Sequence, residues 1–208
     1  MKHARFQLAL PFRKRGGARP RSGPKPKDGK AGMPHRSRPA HAARNPVHVS
    51  LKVGPQLPNL RGPACFAVVA KALRAGRERP GFQLVHWSVQ SNHLHLIVEA
   101  EGKAVLWRGL RSLQTRLAMR LNRALGRRGR VFHDRYHQHE LRSPRETARA
   151  LDYVLRNFAH HLERQGYRVP ADAQDACASS AWPPQIGEGL AVRPRTWLLT
   201  VGWQRGWA

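Results

Sequence analysis

The sequence predicts an α+β domain on an antiparallel sheet, in the order β-α-β-β-α-β-α, behind a basic disordered tail. Three observations predict it. Short segments alternate apolar and polar residues with period two. Longer ones repeat apolar residues every three to four positions, and Gly, Pro and Ser-Asn pairs punctuate the joins.

Residues 45–53 (NPVHVSLKV) put Val47, Val49 and Leu51 on one face, as a half-buried strand does. Pro63 opens a helix through about residue 79, striped by Phe66, Val69, Ala70 and Leu73 and stopped by Pro80-Gly81. Residues 82–90 and 93–100 are strands joined by Ser91-Asn92 as a short hairpin link. A long helix over roughly 103–126 follows, with Leu106, Leu110, Leu113, Leu117, Leu121 and Ala124 on one stripe. Arg108, Arg111, Arg116 and Arg123 fall outside that stripe. Gly126 ends the helix, and residues 131–141 contain a fourth strand. Ser143, Pro144 and Glu146 form a capping box for a last helix running to about residue 164. The first six elements match a ferredoxin-like sheet with two helices on one face. The seventh is left for the other face or for a partner.

The predicted organisation is a tail over 1–44, a catalytic domain over 45–164 and a C-terminal extension over 165–208. The extension ends in a Trp-rich run, TWLLTVGWQRGW, which should pack on something. The 208 residues carry 38 Lys+Arg against 12 Asp+Glu, a formal net charge of +26. The tail holds 13 basic residues and 1 acidic, the middle 21 and 8, and the extension 4 and 3. Such imbalance calls for a polyanionic partner, and nucleic acid is the default one. An enzyme of small acidic metabolites needs no such charge. No segment reaches the roughly 18 apolar residues of a membrane span, and Cys65 and Cys177 show no framework or zinc spacing. The expected location is the cytoplasm, in association with the nucleoid.

Two features carry chemistry. His93 and His95 lie i, i+2 on a strand, so both imidazoles project from one face and can ligate a divalent cation, while Leu94, Leu96 and Val98 face the core. Through the hairpin, Gln90, Ser88 and His86 should share the histidine face. The second feature is the last helix. On a wheel of about 100° per residue, Tyr153 stands with Arg149, Asn157, His160 and Arg164, away from Leu151, Leu155, Phe158 and Leu162. A tyrosine off the apolar stripe beside a metal-binding pair on a basic surface fits attack of a hydroxyl on a phosphodiester. Tyr136, on the expected fourth strand, and Tyr167, beyond the last helix, are the alternative nucleophiles, and an ordinary surface role is the plain reading of Tyr153. His133, His137 and His139 suit a phosphate-facing or solvated cluster better than a second metal site.

The stretches NPVHVSLKV, HWSVQSNHLHLIVEA, RGRVFHDRYHQHELRSPRETARALDYVLRN and RTWLLTVGW together resemble the single-tyrosine HUH transposases of the IS200-like type, in particular the REP-associated branch. The resemblance covers roughly 45–164 and the end of the chain. It implies cleavage and rejoining of single-stranded DNA near hairpins through a 5′-phosphotyrosine. It implies Tyr153 as nucleophile, His93 and His95 as ligands of Mg²⁺ or Mn²⁺, and a further ligand four residues after the tyrosine. That position, often Gln in the family, is Asn157 here, one methylene shorter. Arg108, Arg111, Arg116, Arg123, Arg135, Arg149 and Arg156 are the expected DNA contacts. The resemblance admits both a monomer and a homodimer in which one subunit's helix serves the other's histidines. A nucleic-acid-binding module that has lost catalysis, or a nickase of the replication-initiator or relaxase type, would share much of this pattern.

Overall fold

A computed structural model describes residues 39–132, 134–170, 173–181 and 192–207. Most of the expected tail, residues 1–38, and His133 lie outside the described residues. The chain divides into Met1–Arg36 and Ser37–Ala208, and the account below concerns the second unit.

Among the described residues, five strands and five helices follow in the order β1 (Val47–Lys52), α1 (Pro63–Gly76), β2 (Glu78–Arg79), β3 (Phe82–Val89), β4 (His93–Ala100), α2 (Lys103–Ala124), β5 (His137–Glu140), α3 (Pro144–Leu155), α4 (Asn157–Arg164) and α5 (Trp197–Thr200). Short 3₁₀ segments lie at Ser179–Ala181 and Gly202–Trp207. The sheet order is β2-β3-β4-β1-β5, antiparallel throughout. Without the two-residue β2, this is the ferredoxin-like arrangement that the element order predicts.

Three elements differ from expectation. The first helix stops at Gly76 rather than near 79, because Pro80 favours extended backbone before it; Glu78 and Arg79 instead pair with Gln83 and Phe82 across Gly81, whose φ is 71°. The fourth expected strand shrinks to His137–Glu140, while Phe132 makes only an isolated bridge to Val53. The last helix starts as read, with Ser143 Oγ accepting the Glu146 N–H at 3.2 Å and Glu146 accepting the Arg142 N–H at 2.7 Å. It does not run unbroken to 164. Arg156, at φ −109° and ψ 10°, separates α3 from α4.

The sheet divides two apolar layers. Val47, Val49, Leu51, Leu94, Leu96 and Val98 face α1 and α2, meeting Val69, Leu73, Leu106, Leu110, Leu113 and Leu117. On the other face Ile97 and Val85 pack with Ala150, Leu151 and Val154 of α3 and Leu199 of α5. β3 keeps this alternation only through a bulge between Leu84 and His86. The extra residue turns Trp87 into the larger core and sets Ser88 opposite His95.

The last segments are held by buried polar anchors. Glu99, on the α3 face of β4, accepts the Arg195 N–H at 2.9 Å, the Thr196 N–H at 2.8 Å and the Thr196 hydroxyl at 2.6 Å. Its carboxylate thus caps the α5 end, and Leu199 and Trp203 follow onto the α3 layer. Arg61 forks onto both oxygens of Asp175, donates to the Val89 carbonyl and lies 3.8 Å from the centre of the Phe158 ring. One guanidinium therefore ties the end of β3, the 173–181 segment and α4 together. At the opposite sheet edge, His41 contacts Glu140 and the Ala100 carbonyl, each at 3.0 Å, so chain before residue 45 is already docked.

Replacing Glu99 by Ala leaves two part-buried backbone donors, the Arg195 and Thr196 N–H groups, without acceptors. The expected loss is about 2–4 kcal/mol in urea unfolding, with faster tryptic cleavage after Arg195. An unchanged midpoint and cleavage rate would show that α5 does not depend on this carboxylate.

Candidate active site

Period-two alternation on β4 sends His93 and His95 to the α3 face, beyond the part of that face which α3 covers at Ile97. Antiparallel register extends them into cross-sheet rows. Lys52 lies opposite His93, and Gln90 closes the hairpin on the His93 carbonyl. Ser88, His95, Ser50 and His137 form the next row. His86, Ile97, His48 and His139 form the third. The shared face read for His86, Ser88 and Gln90 is present, but the contributions of β1 and β5 come only from the strand order.

The two Nε2 atoms of His93 and His95 point at each other, 2.9 Å apart. The His93 Nδ1–H donates to Asn92 Oδ1 at 2.8 Å, which leaves the lone pair on Nε2. At His95, Nδ1 lies 3.0 Å from Ser50 Oγ and 3.2 Å from His48 Nε2, and both can accept an Nδ1–H. In that tautomer both Nε2 lone pairs converge. Two such lone pairs this close need a proton or a cation between them. Cis ligands of an octahedral ion at about 2.1 Å stand roughly 3.0 Å apart, so the pair fits one divalent ion. Burial, then the charges of His93, His48 and His161, pushes His95 down to about 3. Burial, with His139 next, pushes His48 to about 4. Burial, then His161 and Lys52, lowers His93. The imidazoles are thus neutral near pH 7, the form that ligates.

Tyr153 comes to this pair from α3 of the same chain. Its ring meets His95 edge-on at 4.9 Å between centroids and His48 at 5.9 Å, and it is 44% exposed. The stripe Ala150, Leu151 and Val154 is buried, so the helix turns Tyr153 out beside the histidines instead of into the layer. Asn157, first residue of α4, is buried, and among the described residues no donor reaches its Oδ1. An orphaned buried amide oxygen suits a hard cation better than the interior. Among the described residues no group of three or more His, Cys, Asp or Glu side chains has metal-binding spacing.

The break at Arg156 changes the row read from an unbroken helix. His160 turns to Asp152 at 3.0 Å and Glu163 at 3.3 Å, while His161 is the residue whose charge both His93 and His95 feel. Arg156 reaches Asp152 and Glu163 at 3.9 and 3.8 Å, so its charge is answered locally. Arg149 and Arg135 are exposed. Arg108, Arg111, Arg116 and Arg123 ride on α2, across the sheet from Tyr153, and are not brought to the histidines. Tyr136 is buried in the α2-side core, away from the pair, and Tyr167 follows α4 and is exposed. His48, Ser50, Lys52 and His161 were not singled out by sequence. The polar positions alternating with Val47, Val49 and Leu51 were the available signal for the first three.

No protein-family model matches the chain, and no curated protein matches it. Among solved structures the fold is similar to that of a REP-associated tyrosine transposase bound to a REP hairpin: 16% identity, 70% of this chain and 96% of that one covered, TM-score 0.51. A putative transposase from Deinococcus radiodurans R1 aligns over 65% of this chain and 97% of its own at 18% identity, with a TM-score of 0.40. At these identities the likeness is one of fold.

If Ser50 and His48 orient His95, the double variant Ser50→Ala/His48→Ala should bind Mn²⁺ about 10–100-fold more weakly by calorimetry. His95→Ala should abolish the same signal. An unchanged Kd in the double variant would remove both residues from the site.

Proposed function

We propose that this chain is a single-tyrosine DNA transposase or single-strand endonuclease acting near hairpins. The observation that carries it is the placement of Tyr153 on its own chain's His93–His95 pair, on a fold shared with a REP-associated tyrosine transposase.

The reaction uses the residues as follows. The Tyr153 Oη attacks the phosphorus of a single strand, the P–O3′ bond breaks, and the Oη proton passes to solvent. A 5′-phosphotyrosine and a free 3′-OH result. One diester replaces another, so the step is close to balanced and reverses when a 3′-OH attacks the phosphotyrosine. His93, His95 and the Asn157 amide would hold a divalent ion, Mg²⁺ or Mn²⁺, which when bound supplies charge to the non-bridging phosphate oxygens. Lys52, opposite His93, and exposed Arg149 add positive charge on this face. Ser50 and His48 keep His95 turned toward His93, so the pair is ordered before the strand arrives. Proximity of Tyr153 to its own chain's histidines supports a site served within one subunit.

The wild-type chain should form a covalent adduct with hairpin oligonucleotides in Mg²⁺ or Mn²⁺, retaining label on the 3′ fragment, and Tyr153→Phe should form none. An adduct from Tyr153→Phe would falsify the nucleophile assignment. Metal-independent binding with no wild-type adduct across a hairpin panel would support a binding module instead. Removing residues 1–38, and sparing the docked His41, should weaken DNA binding and flatten its salt dependence. Adduct yield at saturating DNA should stay unchanged; its loss would give the tail a part in the chemistry.

A further inference from the structure

The outer surface of α2 carries a groove of about 670 Å³ that the Tyr153 chemistry does not use. Leu106, Leu110, Leu113 and Leu117 clamp the inner face of α2 to the sheet, which fixes the opposite face outward. Along it run Arg108, Arg111, Arg116 and Arg120, joined at one side by Arg79 of β2. Among the described residues none of these five pairs with an acidic side chain. The Arg116 Nε is shut away from solvent with no acceptor, so the exposed guanidiniums of Arg108 and Arg111 are the ones presented to a ligand.

Two apolar groups interrupt the charge. Trp107 is 48% exposed and Met119 is 68% exposed, and both line the groove. Arg111 holds its guanidinium 5.1 Å from the Trp107 ring centre, which props the indole on the helix surface. Neither side chain belongs to either apolar layer. A duplex presents phosphates but no free base face, so it would meet the arginines and leave Trp107 unused. An unpaired strand meets both, with phosphates on guanidiniums and a base on the indole.

We propose that the α2 groove is a second nucleic-acid site, specific for single strand over duplex, on the face of the sheet opposite Tyr153. The arginines bind phosphates and Trp107 is the stacking platform, with Met119 beside the same strand. From Trp107 to Arg120 the helix rises about 20 Å, which suits a short site at the low end of the roughly 4–16 nucleotides that single-strand folds cover. Such a site would retain single-stranded DNA flanking the segment under attack, or one product strand after cleavage. It shares with the reading above a nucleic-acid partner and nothing of the Tyr153 step.

The test uses the full chain and a labelled 15-nucleotide oligo(dT), read by fluorescence anisotropy. Trp107→Ala should weaken binding about tenfold or more. The triple variant Arg108→Gln/Arg111→Gln/Arg120→Gln should reduce the slope of log affinity against log salt by about 2. Both sets change surface positions, and unaltered thermal melting confirms folding. Adduct formation at saturating hairpin DNA should be unaltered in each. Unchanged affinity and slope in both variants overturns the proposal, as does equal competition by a blunt duplex of the same length. A wild-type chain that forms no adduct but loses oligo(dT) binding on Trp107→Ala sinks the Tyr153 reading and supports this one.

Discussion

The period-two alternation of β4 is the constraint on which the rest of the structure depends. Leu94, Leu96 and Val98 are buried against α1 and α2, and this fixes which face His93, His95, Ile97 and Glu99 must take. Those four residues then divide the second face among three tasks. The histidines, at the hairpin end, stay clear of α3. Ile97 seats α3 and so sets where Tyr153 emerges. Glu99, at the far end, caps α5 and draws Leu199 and Trp203 over the same layer. A slip of one residue in β4 would move all of them together. The bulge in β3 protects this register, since it alone lets Trp87 enter the core while Ser88 faces His95.

Placement of the tyrosine needs more than the strand. α3 is anchored at one end by the Ser143 cap and flanked by the Gly202–Trp207 turn, where a Cβ on Gly206 would come within 2.4 Å of the Pro144 carbonyl. At its other end the helix breaks at Arg156, and the break is bridged by Arg156 and His160 reaching Asp152 and Glu163. Arg61 against Phe158 fixes α4 beyond the break. Without that interruption, His160 would share the Tyr153 row. With it, Asn157 is buried and His161 lies near the histidine pair.

The legible part of this molecule was whatever a local period encodes. The leucine stripe of α2, the Ser143–Glu146 cap, the two faces of β4 and the polar position of Tyr153 all follow from spacing, and each is found where spacing puts it. Ser50 and His48 were not legible as site residues, because their nearness to His95 depends on β1 lying beside β4 and not on any neighbour in sequence. The helix break was hidden for a different reason. The run YVLRNFAHHLE contains no Gly or Pro to mark a break, and the contacts of Arg61 and Asp152 that accompany it come from elsewhere in the chain or from the turn before. The cap that Glu99 provides for Thr196 spans 97 residues and leaves no local trace.

The same two-faced sheet bears on how the charge is distributed. Of the net +26, the tail over 1–44 carries +12 and the 45–164 domain +13. Within the described residues the fold separates the domain's share. On the α3 face the histidines are kept neutral by burial, and the fixed positive charge beside them is small in number: Lys52 opposite His93, with Arg149 exposed on α3. That economy matters, since every fixed cation near a divalent-ion site opposes the ion it is meant to hold. The dense arginine row lies on α2, a sheet's thickness away, where the sheet and both apolar layers intervene. On the proposed reading, affinity for a polyanion and the electrostatics of a metal-assisted attack make opposing demands on one surface, and separation across a sheet satisfies both.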